Sequence, residues 1–263
     1  MLLKIAIFSH LKMEHFFDKI FANQKFDISS LDYSGFESQV SFIEKLSQVQ
    51  NSSVIIYDVF KKEYIYVHLD YAEELGYNPK KGEELGLEYY ISLVHPEDFK
   101  FVLDTYKKAF SYINELSIRE KKDYKLIYSY RTKGKEGKYY SVIDQMVVLE
   151  LDKKGNVWLL MTISDKLPSN FKFKKANRQL LNTKNNKLYL FEDSIKFKEK
   201  AILSAREIEV LGLVSKGYAS KIIADKLFLS VHTVNNHRKK ILEKIDASNI
   251  AEAITYAKNL GFI

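Results

Sequence analysis

The chain of 263 residues contains no cysteine, only three prolines and one tryptophan. Without cysteine it can form no disulfide bond, no thiolate metal site, no cysteine nucleophile and no cysteinyl flavin adduct. No hydrophobic run is long enough to span a membrane, and the first residues include Lys4, Lys12 and Glu14 with no small-residue cleavage site after them. These absences predict a cytoplasmic protein without a membrane partner.

Motifs of the common enzyme classes are missing as well. The sequence contains no GxGxxG or P-loop, no GxSxG, no HExxH and no aspartate cluster with a distant lysine. His95, in the sequence HPED, is a lone histidine of the kind that makes a turn more often than it binds haem. We therefore predict that the chain is not an enzyme. We predict no metal and no cofactor, and the residues of a cofactor site remain unknown.

Positive charge is concentrated toward the C-terminus. The net charge of the chain is +7, made up of −3 for residues 1–165, +7 for residues 166–200 and +3 for residues 201–263. Because nucleic acids are polyanions, a basic segment beside a compact domain favours their binding. A solubilising linker has the same composition, so charge alone leaves both interpretations open.

The region from residue 53 to residue 164 has strand character. Its short runs are rich in β-branched and aromatic residues and are separated by glycine-lysine turns. Between the second and third runs lies a helical block in which Phe99, Val102, Leu103, Tyr106 and Phe110 recur at helical spacing. This order predicts an α+β domain with helices against one face of an antiparallel sheet. The five predicted strands are SVIIYDV, EYIYVHL, DYKLIYSYRT, KYYSVIDQMVVLEL and NVWLLMTIS.

The segments on either side of this region lack motifs. Residues 1–45 have amphipathic helical character through Phe16, Phe17, Ile20 and Phe21, which predicts a cap or a dimerisation element. Residues 167–200 are polar and basic and begin near Pro168, which predicts a linker.

From residue 201 onward the pattern is that of short helices. Ser204 and Glu207 have the spacing of a capping box, and Gly217 is suited to the left-handed conformation that ends a helix. Three further helix starts are predicted at Ser220, Ser230 and Asn249.

The stretch LSVHTVNNHRKKIL, residues 229–242, is amphipathic in an unusual way. An amide side chain can pair with adenine N6 and N7, a lysine can reach guanine or a phosphate, and Thr233 at a helix start is placed for a phosphate. A merely solvated face is the alternative, but such faces favour glutamate and lysine pairs. Here Glu243 is the only acid. The apolar side consists of Val231, Val234, Ile241, Leu242 and Ile245, and the polar side of His232, Asn235, Asn236, Lys239 and Lys240.

The run LSAREIEVLGLVSKGYASKIIADKLFLSVHTVNNHRKKILEKI resembles the DNA-binding domain of the LuxR/GerE family. The resemblance covers about the last sixty residues and implies an all-α, four-helix helix-turn-helix domain over residues 201–263. Family members bind double-stranded DNA as dimers, often through the last helix, which here offers Ile254 and Ala257. Many members have lysine where this chain has Asn235. The groove-facing positions that the resemblance implies are Asn235, Asn236 and Lys239, with Thr233 and His237 near the DNA backbone. The predicted DNA-facing set is completed by Lys240, His232, Lys221 and Ser220.

Residues 46–166 resemble PAS sensor modules. The residues that carry this resemblance are IYVHLDYAEELGYNPKKGEELG, LVHPEDF and YSYRTKGKEGKYYSV, with a last strand ending in TISDKL. PAS domains bind flavin, haem or small metabolites, or act without a ligand as dimerising interaction modules. The many phenylalanine and tyrosine residues of this half are expected to form the core, with room for a small apolar pocket.

Taken together, these patterns predict a homodimeric transcriptional regulator. Its PAS-like domain would sense a small molecule or a protein partner, and its helix-turn-helix domain would bind a two-fold related DNA site. One alternative is a signalling protein in which the PAS-like domain binds another protein and the C-terminal helices no longer read DNA. A further alternative is a ligand carrier or an enzyme that uses the PAS-like pocket.

Overall fold

The computed structural model of the chain describes residues 20–22, 24–50, 52–167, 177–185, 187–190, 198–199, 203–245, 247, 249–259 and 263. The chain divides into two compact units, Met1–Lys198 and Glu199–Ile263. They are called the sheet unit and the helical unit below, and each is described by itself.

The sheet unit combines one antiparallel sheet with helices. The strands are β1 Ser53–Asp58, β2 Glu63–His68, β3 Tyr124–Lys133, β4 Tyr139–Leu151, β5 Val157–Lys166, β6 Asn177–Asn182, β7 Lys187–Leu190 and β8 Lys198–Glu199. Their order in the sheet is β2-β1-β5-β4-β3-β6-β7-β8. The α+β class and the five predicted strands are confirmed, and strands β1 to β5 begin and end within two residues of the predicted limits. The helices are α1 Ser34–Gln50, α2 Ala72–Leu75, α3 Pro79–Leu85, α4 Leu87–Ser92 and α5 Pro96–Glu115.

Part of the predicted linker, residues 167–200, belongs to the sheet instead. Strand β6 pairs antiparallel with β3, with Tyr124 opposite Asn182, and β7 pairs with β6. Leu180 and Leu181 are buried, and Arg178 is buried beside α5, where it forms an ion pair of 2.8 Å with Asp104. The linker prediction was wrong for these residues because few apolar side chains suffice when a strand completes an existing sheet edge.

Helix α5 covers one face of the sheet. Proline at its first turn and His95 at its N-cap, whose ring nitrogen accepts a hydrogen bond from the Glu97 backbone, explain where it begins. Val102, Tyr106 and Phe110 recur every fourth residue and are buried, as the helical spacing predicts. They pack against residues of β3, β4 and β5 in the main core cluster.

The other face of the sheet is covered as well, which differs from the predicted one-sided arrangement. Ile56 and Trp158 are buried there with Phe36 of α1 packed against them. Tyr33 donates a hydrogen bond of 2.5 Å to Asp58 and accepts one of 3.2 Å from the Trp158 indole. Apolar side chains on the second face require this cover. The described part of the predicted 1–45 extension therefore belongs to the sheet unit, with α1 on this face and Ile20 and Phe21 packed against the main core cluster. Phe16 and Phe17 lie outside the described residues.

The described residues of the helical unit form four helices, as the resemblance implies. Its core is buried and includes residues of all four: Val210, Leu211, Ile223, Val234, Ile241, Ala253 and Ala257. The helices are α6 Ala205–Ser215, α7 Ser220–Leu227, α8 Val231–Ile245 and α9 Ile250–Asn259. Helix α8 contacts each of the other three.

The predicted helix limits of this unit have clear local causes. The Ser204–Glu207 capping box is formed in both directions. At the end of α6, Gly217 has a φ of +84°, and the backbone N–H of Tyr218 reaches back to the Leu213 carbonyl at 3.2 Å. These are the bonds of a Schellman motif. At the start of α9, Asn249 accepts a hydrogen bond of 3.0 Å from the Glu252 backbone.

Candidate nucleic-acid interface and interior cavity

The second helix of the helix-turn-helix, α8, presents a continuous polar stripe to solvent. His232, Asn235, Asn236, Lys239 and Lys240 are all exposed and occupy successive turns of one face. Val234 and Ile241 on the opposite face are fully buried. The structure therefore brings five of the nine predicted DNA-facing residues together. This set of five is called the α8 stripe below.

The α8 stripe leaves its amide side chains available. The side-chain amides of Asn235 and Asn236 have no hydrogen-bond partner among the described residues. Lys239 faces Glu243 only at 3.9 Å, with 78% of the lysine side chain exposed. An exposed ion pair of this length contributes little to stability, so the lysine remains available to a phosphate or a base.

The start of α8 is fixed by Ser230. Its hydroxyl accepts a hydrogen bond of 3.0 Å from the Thr233 backbone and lies 2.8 Å from the Thr233 hydroxyl. This side-chain cap defines where the stripe begins. Thr233 is half-buried at the first turn, where backbone N–H groups favour an anion.

An ion pair between helices holds the orientation of α8. Lys244, near its end, donates to the carboxylate of Glu207 on α6 at 2.7 Å, and the same carboxylate oxygen accepts from the Ser204 backbone at 2.7 Å. Burial by itself would raise the pKa of Glu207, but the hydrogen bonds from Lys244 and Ser204 outweigh it and hold that pKa below its ordinary value. The capping box thus also anchors the polar helix.

Two residues of α8 deviate from the simple amphipathic pattern. Val231, assigned to the apolar side, is 43% exposed because it is the first residue of the helix and lies past the edge of the core. His237, predicted to lie near the DNA backbone, is half-buried. Its Nδ1 is buried without a hydrogen-bond partner among the described residues. That nitrogen is not accessible to a phosphate.

Helix α7 places the other two predicted contacts on its first turn. Lys221 is exposed and Ser220 is half-buried. The N-cap is Ala219, which makes no side-chain cap hydrogen bond. The structure therefore places Ser220 and Lys221 on the helix that precedes α8, outside the α8 stripe.

The turn between α7 and α8 contains a strained residue that sequence reasoning missed. Phe228 has a φ of +54° and is 96% exposed. The backbone N–H groups of Phe228 and Leu229 reach back to Asp225 and Ala224, as in the Schellman motif that ends α6. A phenylalanine therefore occupies the position that glycine occupies at residue 217.

The two predicted dimerisation residues on α9 have different environments. Ala257 is fully buried in the core of its own unit, so it has no surface to offer a second copy. Its small side chain fits the close contact between α9 and the other helices, which the sequence pattern could not separate from an interface position. Ile254 is only half-buried and keeps part of its surface exposed.

The sheet unit contains a cavity of about 60 Å³ between the helices and the sheet. Its apolar wall includes Phe110 and Met146, which fits the expected small pocket, but the polar part of the lining was not foreseen. Six tyrosines and one aspartate line the cavity: Tyr57, Tyr64, Tyr90, Tyr106, Tyr128, Tyr130 and Asp144.

Asp144 is the acidic group of this cavity. It accepts hydrogen bonds from the Ser164 hydroxyl at 2.5 Å and the Tyr130 hydroxyl at 3.1 Å. Burial raises its pKa to about 6, against the lowering effect of these hydrogen bonds. A buried acid in the middle of the apolar strand YYSVIDQMVVLEL was the available sequence signal.

Two negative findings apply to the described residues. No group of three or more histidine, aspartate or glutamate side chains among them is arranged to hold a metal ion. None of the helices within the described ranges is both long enough and apolar enough to cross a bilayer.

Comparison with known sequences identifies the helical unit. Residues 201–257 match the family described as "Bacterial regulatory proteins, luxR family". The chain is 50% identical over 56 residues to the oxygen regulatory protein NreC of Staphylococcus haemolyticus strain JCSC1435, which covers 21% of this chain and 26% of that protein. It is 36% identical over 104 residues to NreC of Staphylococcus aureus strain MRSA252, covering 40% and 42%. The aligned residues thus span less than half of these relatives. The C-terminal domain is of the LuxR helix-turn-helix type, as the resemblance predicts.

Solved structures with low sequence identity to the chain align with it. The VqmA dimer of Vibrio cholerae, described in connection with LuxR-type receptors, aligns with a TM-score of 0.33 and 16% identity over 85% of this chain and 88% of that one. A PAS domain of an HTR-like protein from Haloarcula marismortui aligns with a TM-score of 0.32 and 17% identity over 50% of this chain and 94% of that one. Both similarities are too low to carry a functional conclusion.

Proposed function

We propose that this chain is a cytoplasmic transcriptional regulator. Its helical unit binds double-stranded DNA sequence-specifically as a homodimer, and its sheet unit senses a small ligand. The observation that carries the proposal is the α8 stripe, exposed on the second helix of a domain that matches the luxR family. A helix of this kind, held by a preceding helix and a short turn, is the element that enters a DNA major groove.

The chemistry of the stripe fits base recognition better than general solvation. Asn235 and Asn236 combine a donor and an acceptor, which suits the edge of adenine, and both lack intramolecular partners among the described residues. Lys239 and Lys240 add positive charge on the same face, and Lys221 adds more from α7. Asparagine is a poor helix former, so two adjacent asparagines cost helix stability that a DNA contact would explain.

Selection of bound duplexes from a random library tests sequence-specific binding. The selected duplex and a scrambled duplex are then titrated with the full chain at two salt concentrations. We expect the selected duplex to bind at least ~10³ times more tightly than the scrambled one, with two half-sites related by two-fold symmetry. Equal, weak and steeply salt-dependent binding to both would favour the alternative in which the chain signals through protein contacts.

Replacement of Asn236 separates base reading from charge. Asn236→Ala should cost roughly 1–3 kcal/mol on the selected duplex and relax the preference at one base pair. Glu243→Ala, two turns further along the same face, is the matched control and should leave that preference unchanged. An equal loss on every duplex would refute a base-reading role for Asn236.

Replacement of Lys239 tests a phosphate contact. Lys239→Ala should lower the slope of log K against log salt by about one while leaving the base preferences intact. Lys216→Ala, an exposed lysine at the end of α6, is the control and should leave the slope unchanged. A change in base preference with an unchanged slope would assign Lys239 to a base instead.

Dimerisation is proposed to use the exposed side of α9. Ile254→Asp places a charge on the half-buried position without touching the fully buried Ala257. Light scattering gives the mass of the protein–DNA complex and hence the number of chains on each duplex. We expect this number to fall from two to one in the variant. Lys258→Asp, on the same helix, is the control for added charge.

Ligand sensing is proposed for the cavity of the sheet unit. Asp144 and six tyrosines line a concave space whose other walls are mostly apolar, which is the usual form of a small-molecule site. Mass spectrometry of the purified protein under native conditions tests for a retained molecule. A carrier or an enzyme would bind a ligand without any change in DNA affinity, whereas a sensor requires that change.

A further inference from the structure

The cavity in the sheet unit has a lining of unusual composition. Six of its lining residues are tyrosines, and Asp144 is the acid among them. None of the described residues that line it is lysine, arginine or histidine. The lining therefore combines aromatic rings with a carboxylate, and none of its described residues offers that carboxylate a cationic partner.

The tyrosine rings of the lining contact one another in two groups. Tyr64 lies edge-to-face with both Tyr57 and Tyr90, at centroid distances of 5.3 and 5.6 Å. Tyr128 stacks on Tyr130 at 5.7 Å with an interplanar angle of 14°. The face of an aromatic ring carries negative electrostatic potential, so several rings around one space attract a cation.

Asp144 is well supported as a carboxylate but not neutralised. Ser164 and Tyr130 donate hydrogen bonds to its two oxygens. With its pKa raised to about 6, it is mostly ionised near neutral pH, at the cost of an uncompensated buried charge. A cation in the adjacent space would remove that cost.

We propose that this cavity binds a small organic ammonium ion, held by the Asp144 carboxylate and enclosed by the tyrosine rings. The class is limited by size. One water needs roughly 10–15 Å³ of such space, so a cavity of about 60 Å³ accepts roughly four to six non-hydrogen atoms. The ligand is therefore a compact alkylammonium ion with an apolar body that suits Phe110 and Met146. This inference rests on the proposed sensing function and names its ligand class.

A matched pair of probes tests the charge requirement. Tert-butylammonium chloride and tert-butanol have the same shape and five non-hydrogen atoms each, and differ in that the first is a cation. Each is titrated into the full chain near neutral pH at constant ionic strength, and the NMR signals of the tyrosine rings are followed. We expect the ammonium ion to bind at least ten times more tightly. The proposal would be overturned if tert-butylammonium bound no more tightly than tert-butanol, or if neither probe bound.

Two variants locate the site. Asp144→Asn keeps the size of the side chain and removes its charge, and we expect it to reduce the affinity for tert-butylammonium at least tenfold. Asp165→Asn, which removes a neighbouring acid that does not line the cavity, should change it less than twofold. Full affinity in Asp144→Asn would overturn the proposal, and the circular dichroism of the variant shows whether it is folded.

The DNA titration is then repeated with and without tert-butylammonium. Because the binding test uses no DNA, it stands or falls independently of DNA recognition. Binding of the probe without any change in DNA affinity would contradict the sensing function and leave the ligand class intact.

Discussion

Two buried acids, Glu207 in the helical unit and Asp144 in the sheet unit, have opposite environments. In the helical unit Glu207 accepts hydrogen bonds from a lysine and a backbone N–H, and its pKa is below the ordinary value. In the sheet unit Asp144 accepts only hydroxyl hydrogen bonds among the described residues, and its pKa is raised to about 6. The first acid therefore stabilises its fold and the second destabilises it near neutral pH.

This difference separates a structural group from a candidate functional one. A paired acid that caps a helix and positions its neighbour needs no ligand to explain it. A buried carboxylate without a cation persists only when the surrounding fold supplies the free energy, and such sites are commonly functional.

Replacing the paired acid, Glu207, should give the largest change in the free energy of unfolding. Glu207→Ala removes the cap hydrogen bond and the interhelical ion pair together, and should lower the free energy of unfolding of the helical unit by about 3 kcal/mol at neutral pH. Hydrogen exchange of the α6 and α8 amides in the full chain measures this loss. Glu209→Ala, whose side chain is half exposed in its pair with Arg206, should cost less than about 0.5 kcal/mol.

Replacing Asp144, the acid that has no cationic partner among the described residues, should raise the free energy of unfolding instead of lowering it. Since the pKa of Asp144 is raised in the folded state, its ionisation destabilises the fold above about pH 6, and the cost disappears as the pH falls toward the ordinary pKa near 4. Asp144→Asn should therefore stabilise the sheet unit by about 2 kcal/mol near pH 7.5 and by almost nothing near pH 4. Urea denaturation followed by the fluorescence of the single tryptophan, Trp158, reports this. A gain independent of pH would contradict it.

Removing Lys244 should shift the pKa of Glu207 upward, in the direction of the shift seen at Asp144. In Lys244→Ala the pKa of Glu207 should rise, and the helical unit should lose about 1.5 kcal/mol near neutral pH, less than a fully buried pair because the lysine is 42% exposed. The loss should shrink as the pH is lowered and Glu207 becomes neutral. Hydrogen exchange measured at two pH values tests this, with Lys240→Ala as a control that should show no such dependence.

The smallest expected effect concerns backbone strain in the same unit. Phe228→Asn should stabilise it by about 1 kcal/mol, because asparagine tolerates the left-handed conformation and the phenylalanine ring is almost fully exposed. Phe228→Leu, which keeps an apolar side chain with the same backbone penalty, should give no gain. Hydrogen exchange of the α7 amides distinguishes the two variants.

Local patterns predicted much of the fold and of the candidate interface. Strands β1 to β5 followed from alternating apolar residues, and the ends of the last four helices followed from caps such as Ser204 and Gly217. The α8 stripe followed from helical periodicity in the same way. These features depend on neighbours within a few residues, where periodicity and capping act.

The features that sequence reasoning missed depend on distant contacts. Strand β6 is stable because β3 offers an open edge, and Arg178 is buried because Asp104 lies on α5. The cavity depends on Asp144 meeting tyrosines from five other elements. The assignment of Ala257 to an interface failed for a similar reason, since an apolar residue on a helix can face either its own core or a partner.

The pairing of β6 with β3 determines where the sheet unit can be divided. A fragment that ends at Lys166, the last residue of the PAS resemblance, would lose β6 and leave the β3 segment Tyr124–Ser129 with open backbone hydrogen-bonding groups. Such an edge promotes pairing between chains, so the fragment should aggregate, while one that ends after Leu190 keeps the edge covered.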